Sequence, residues 1–131
     1  MNIKILRFGA IVLLLAVILG AFAAHGLQSI VEARQIKTFE TGVRYQFYHG
    51  FALLIVGILT QWFSSNFVRW AAYAFTVGLF LFSGSLYLLA CREVLGIAHW
   101  WWLGPITPIG GTFFIIGWAL LVLGLNNKSD S

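Results

Sequence analysis

Apolar positions in this chain neither alternate nor form narrow stripes. They come in four nearly unbroken runs. Ile5–Ala24 holds one charge, Arg7, near its start, and Phe47–Phe63, Trp70–Ala90 and Gly104–Leu125 hold none. Each run approaches or exceeds the roughly 17–25 residues that cross a bilayer as a helix. The lack of polar–apolar alternation excludes a membrane β-barrel. In lipid, helices are then the only way to satisfy the backbone. The expected fold is an all-α membrane protein: one integral membrane domain over residues 1–131, an antiparallel bundle of four transmembrane helices over about 5–24, 45–63, 70–90 and 104–125.

Small residues recur every seven positions within the runs. Gly9, Ala16 and Ala23 form the first set, and Gly50 and Gly57 the second. Ala71, Gly78 and Ser85 form the third, and Gly110, Gly117 and Gly124 the fourth. A heptad keeps one seam on a neighbouring helix and predicts a left-handed bundle. Small seam residues let membrane helices approach closely; Gly20 and Gly84 join the helix-packing candidates.

The connections differ. Ser64–Arg69 is a tight turn between the interfacial Trp62 and Trp70, and Cys91–Leu103 ends in Trp100, Trp101 and Trp102. The longest, His25–Arg44, holds most of the charge. Ser29 and Glu32 have the spacing of a capping box. With Ile30, Ala33, Ile36 and Phe39 on one side, they predict a short amphipathic helix on the membrane surface. A continuous extension of the second spanning helix is the alternative.

Composition agrees with a lipid solvent. Of 131 residues, 60% are hydrophobic and 9% charged, against about a quarter charged in soluble domains. The net charge is +4, but the eight Lys and Arg are scattered at the ends of runs. They suit anionic headgroups rather than nucleic acid. The single Cys91 excludes an intrachain disulfide. The partners expected are the bilayer and, through the small-residue seams, a second copy or another membrane protein.

An up-and-down path puts both termini at one end, and His25, Glu32, Glu40, Cys91, Glu93 and His99 at the other, with His49 near them. The densest candidate stretch is FETGVRYQFYHGFALL, Phe39–Leu54. On a helix, Glu40 and Arg44 are a favourable four-residue pair, and Tyr45, Gln46 and His49 share a face. Three readings of this cluster stand open. It locks the bundle by satisfying its own polar groups, it binds a ligand or handles protons, or His25 and His49 ligate a haem or metal. His25 is expected to meet the Tyr45–Gln46–His49 face, with donors from Gln46 or His49 on the last carbonyls of the first helix. Thr76, Ser83 and Tyr87 stripe the third run, where hydroxyls usually bond a carbonyl or a neighbouring helix. Pro105 and Pro108 suit the first turn of the fourth helix; a broken-helix ion site is the sharper alternative. With no catalytic triad order, no phosphate loop and no paired carboxylates, neither an enzyme nor a cofactor is expected. A non-enzymatic accessory or structural subunit leads. An oligomeric permease or channel, and a metal- or haem-binding protein, are the alternatives.

GAFAAHGL, TGVRYQFYHGFALL, LFSGSLYLLA and PITPIGGTFFIIGWALLVLG, in that order, resemble the small bacterial membrane proteins grouped as domain of unknown function 423. The resemblance spans about Gly20 to Gly124 and implies a multi-pass inner-membrane protein without a known activity. His25, Tyr45, Gln46, His49, Ser83, Gly84, Pro105, Pro108, Gly110 and Gly111 fall inside its blocks; Cys91 and His99 fall outside. Lys4, Arg7 and Ala21-Phe22-Ala23 make a passable signal peptide, but a family block across the cleavage point argues for retention. Basic residues tie at the two ends, Lys4, Arg7, Arg69 and Lys128 against Arg34, Lys37, Arg44 and Arg92. The first helix usually dominates, so the termini are expected in the cytoplasm.

Overall fold

The structure, a computed structural model, describes residues 1–126. It is all helical, with no strand among the described residues. Helix α1 (Ile3–Ala24) opens on Asn2, whose side-chain oxygen accepts from the Ile5 amide at 3.1 Å. The Asn2 amide donates to the Gly57 carbonyl at 3.0 Å and so ties the start of the chain to the next helix. A 3-10 turn, Leu27–Ser29, leads into α2 (Ala33–Leu59). The third helix starts at the Ser65 cap as α3 (Asn66–Gly78). It passes without a break through one π turn, Leu79–Ser83, into α4 (Gly84–Ala90). Helix α5 (Leu103–Gly124) runs unbroken through Pro108.

Among the described residues three stretches are long and apolar enough to cross a membrane: Ile3–Ser29, Asn66–Ala90 and Leu103–Gly124. The 27-residue α2 is the longest helix and is not among them. Its first two thirds carry Arg34, Lys37, Glu40, Arg44, Gln46 and His49, which dilute its apolar content.

The cap of α2 differs from the expected one. Ser29 closes the 3-10 turn, its hydroxyl donating to the Gly26 carbonyl at 2.8 Å. Glu32 is the N-cap instead, and its amide donates to Gln35 Oε1 at 3.0 Å. Gln35 is buried, so packing fixes this cap. No separate surface helix forms in the first connection; Ala33–Phe39 are the opening turns of α2.

α1 and α2 pack as one antiparallel hairpin, with Gly9 against Leu53, Gly50 against Leu13 and Gly57 against Leu6. α3, the π turn and α4 pack against α5, and α2 lies alongside them, joining the two hairpins. The main core joins Val12, Leu53, Val56, Val68, Phe75 and Phe114, while a smaller one at the opposite end from the termini joins Ala23, Leu27, Phe39, Val43 and Ala90. Gly110 marks the tightest crossing: a Cβ there would lie 2.3 Å from the Phe82 backbone nitrogen, inside the π turn. All the seven-residue small positions, from Gly9 to Gly124, are buried. Two further packing candidates are not part of such crossings. A Cβ on Gly84 would meet nothing within 4 Å, and one on Gly20 would make only an ordinary 3.5 Å contact with Val43. The π turn adds one residue to a helical turn and shifts the register, which leaves Ser85 buried and Gly84 half-exposed.

Candidate functional site

The buried polar groups of α2 are Gln35, Gln46 and His49. The latter two lie in the middle of the fold. One carboxamide, that of Gln46, joins three helices. Its Nε2 donates to the Val12 carbonyl of α1 at 2.9 Å, and its Oε1 accepts from the Tyr87 hydroxyl of α4. Val12 lies inside α1, so Gln46 uses the second lone pair of a carbonyl already within the helix. One turn earlier on α2, the Gly42 carbonyl accepts from the Ser83 hydroxyl at 2.8 Å. Gly42 leaves room for this approach: a Cβ there would sit 2.8 Å from the Tyr87 ring.

His49 faces the other way, towards α3 and α5. Its Nδ1 lies 2.9 Å from the Tyr45 carbonyl, and its Nε2 lies 3.2 Å from the indole nitrogen of Trp118. A carbonyl only accepts and an indole N–H only donates, so Nδ1 carries the proton and Nε2 is bare. The contacts thus select the neutral imidazole and one tautomer. The ring stacks on Phe114 at 3.6 Å between centroids and 9° between planes, with Phe75 at 5.3 Å. Tyr45 covers this stack from the side, 4.7 Å from Phe82.

Among the described residues every buried side-chain nitrogen and oxygen has a hydrogen-bond partner. Protonating His49 would turn Nε2 into a donor facing the Trp118 donor. Among the described residues no group of three His, Cys, Asp or Glu side chains is placed to hold a metal ion.

The expected cluster therefore divides. Gln46 faces α1 and α4, while Tyr45 and His49 face α3 and α5. Glu40 and Arg44 are exposed. His25 is exposed at the end of α1 and does not join them. It follows Phe22, which packs against Phe39 at 5.9 Å. Phe39 precedes His49 by ten residues, or about 15 Å of helix. The expected meeting of His25 with the Tyr45–Gln46–His49 face is thus overturned, and with it a site that uses His25 and His49 together. The antiparallel register places His49 mid-helix, opposite Val12, instead of at the mouth. For the same reason Gln46 reaches a central carbonyl of α1 and not one of its last.

Thr76 bonds back to the Ala72 carbonyl at 2.8 Å, and Ser83 and Tyr87 bond to α2. The stripe of hydroxyls on the third run thus uses both expected kinds of partner. Ser85 and Thr107 join α4 to α5. Trp118 and Phe114, the partners of His49, lie in an apolar run with no local pattern to single them out. The only sequence signal is their spacing of four, which places them on one helical face.

Comparison with known proteins agrees with a membrane fold of this size. A family model described as a protein of unknown function, DUF423, matches residues 19–111. A UPF0382 membrane protein of Staphylococcus saprophyticus is 43% identical, covering 88% of this chain and 91% of its own. The UPF0382 membrane protein YwdK of Bacillus subtilis is 41% identical, covering 88% and 89%. One of Haemophilus influenzae is 45% identical, covering 82% of each. No solved structure matches the chain. With apolar helices of membrane-crossing length, a family model over most of its residues and relatives named as membrane proteins, the chain belongs to the DUF423 family of membrane proteins of unknown function.

Proposed function

We propose that this chain is a four-span protein of the bacterial inner membrane, with both termini in the cytoplasm, that acts by contact as a structural or accessory subunit. The observation that carries this reading is where the polar groups go. Among the described residues the buried side-chain nitrogens and oxygens, those of Gln46 and His49 included, are bonded within the chain. Large apolar side chains face outward along the helices: Phe80, Ile115 and Val122 are among the most exposed of them. In a membrane such faces meet lipid or another helix.

A fourth span at α2 is supported by its packing. It runs beside α1 from the Leu6–Gly57 contact to the Phe22–Phe39 contact. A helix packed along the length of a spanning helix shares its depth. The antiparallel order and the seven-residue spacing of buried small positions support the left-handed form. Orientation rests on Lys4 and Arg7 beside the first helix; Lys128 lies outside the described residues.

Native mass spectrometry of the full chain, released from membranes in mild detergent, tests the accessory role. A defined complex with another membrane protein, reproduced when both are co-expressed, is expected. A symmetric ring of this chain that conducts ions in liposomes would overturn it, as would a stoichiometric haem or metal adduct.

A further inference from the structure

α1 packs chiefly on α2 and leaves a groove between itself and the third helix. The part near the termini, about 350 Å³, is bordered by Lys4, Phe8, Arg69 and Thr76, with Leu53 among its lining residues. The deeper part, about 330 Å³, is walled by Phe8, Ile11, Leu15, Leu79 and Phe80. Phe8 borders both, so the two lie end to end along α1. Each is within the usual range for small-molecule sites.

We propose that this groove holds one anionic phospholipid, with its phosphate at Lys4 and Arg69 and an acyl chain along Phe8–Leu19. Two features select this occupant. The mouth is basic: Lys4 and Arg69 border it, and among the described residues no carboxylate does. Arg offers paired donors to phosphate and Lys a compact charge. The apolar wall also has the right depth. From Phe8 to Leu19 is eleven residues, or about 16 Å of helix, close to half of the roughly 30 Å hydrocarbon core. A lipid of the leaflet at the termini end would fit with its headgroup at the cations. A second copy of this chain in the same orientation fits less well. Among the described residues the carboxylates are Glu32, Glu40 and Glu93. All three lie at the far end, away from Lys4 and Arg69.

The inference rests on the membrane-spanning reading but not on the accessory role. The test uses the purified full chain, delipidated in detergent and offered an equimolar mixture of phosphatidylglycerol and phosphatidylcholine. Native mass spectrometry should show one phosphatidylglycerol per chain, preferred by roughly tenfold or more, as two basic side chains near an anionic headgroup produce. Lys4→Gln with Arg69→Gln should abolish the preference, and Leu15→Trp should expel both lipids by filling the groove. Arg34→Gln with Lys37→Gln, at the opposite end, should change nothing. Unchanged helical circular dichroism confirms that each variant folds. Equal retention of the two lipids, or an unchanged preference in Lys4→Gln with Arg69→Gln, would overturn the site. So would a lipid-free dimer that Leu15→Trp dissociates. None of these results would bear on whether the chain forms a complex with another membrane protein.

Discussion

At the scale of single residues, the side chains of His49 and Trp118 form a pair whose parts can be weighed separately. His49→Leu removes the acceptor and leaves the indole N–H unpaired at the edge of the core. The expected loss is about 1–2 kcal/mol, the upper part of the range for side-chain hydrogen bonds in membrane proteins. Trp118→Phe should lose less from the bond itself, because a bare Nε2 is left in place of an orphaned donor. Combined in a double-mutant cycle followed by reversible unfolding in mixed micelles, the pair should show a coupling of roughly 1 kcal/mol. Additive losses would mean that the contact contributes nothing. The glycines offer a sharper contrast. Gly110→Ala drives a Cβ into the Phe82 backbone, which no side-chain rotation relieves, so the loss should exceed about 2 kcal/mol. Gly84→Ala meets open space and should be neutral or stabilise by up to about 1 kcal/mol through helix propensity. The heptad spacing includes Gly110 in a repeated set, whereas Gly84 lies outside every such set. Only coordinates show that one faces a backbone and the other faces nothing.

At the scale of helices, α2 is the element that the other helices share. Gln46→Leu should cost more than Ser83→Ala, because it strips the partner from the Tyr87 hydroxyl. The expected losses are about 1–3 kcal/mol for an orphaned buried group, against about 0.6 kcal/mol for one hydroxyl bond between membrane helices. Adding Tyr87→Phe to Gln46→Leu should restore part of the loss in the same unfolding assay; a further loss would show that the Tyr87 hydroxyl finds another partner. Four helices were legible in the sequence because long apolar runs leave the backbone no alternative in lipid. Their boundaries were less so at polar ends. Ser29 and Glu32 carried the capping spacing, yet Glu32 and the buried Gln35 form the cap, because tertiary packing decides between two adjacent candidates. The π turn at Leu79–Ser83 was not legible. Leu-Phe-Leu-Phe-Ser contains no helix breaker, and the turn is set by what lies across from it, the backbone of Gly110. Gln46 and His49 stood out as polar residues at the head of an apolar run, but their partners did not. Val12 and Trp118 lie 34 and 69 residues away, and that separation leaves no mark on local spacing.

At the scale of the whole molecule, the length of α2 makes a topological prediction. Its 27 residues extend about 40 Å, against a hydrocarbon core of about 30 Å. Its opening turns, with Arg34, Lys37 and Glu40, should therefore stand outside the lipid, and the stretch from about Tyr45 to Phe63, the rest of the helix and the turn that closes it, should lie within it. Cysteine labelling of intact cells with a membrane-impermeant maleimide reads this directly. Cys91 is half-buried just beyond α4, and burial pushes its thiol pKa above the usual value. Its thiolate fraction at neutral pH is accordingly reduced and grows as the pH is raised. The native protein should thus label slowly at pH 7 and faster at pH 9, and a Cys91→Ser background removes the signal. In that background Lys37→Cys and Glu40→Cys should label from outside the cell. Ser64→Cys, in the turn before α3, should label only after the membrane is opened, and His49→Cys should stay protected in both conditions. If Lys37→Cys and Ser64→Cys label from the same face, α2 does not cross and the four-span reading fails. If they label from opposite faces with Ser64→Cys outside, the four spans stand but the molecule is inverted, and Lys4 and Arg7 do not set its orientation.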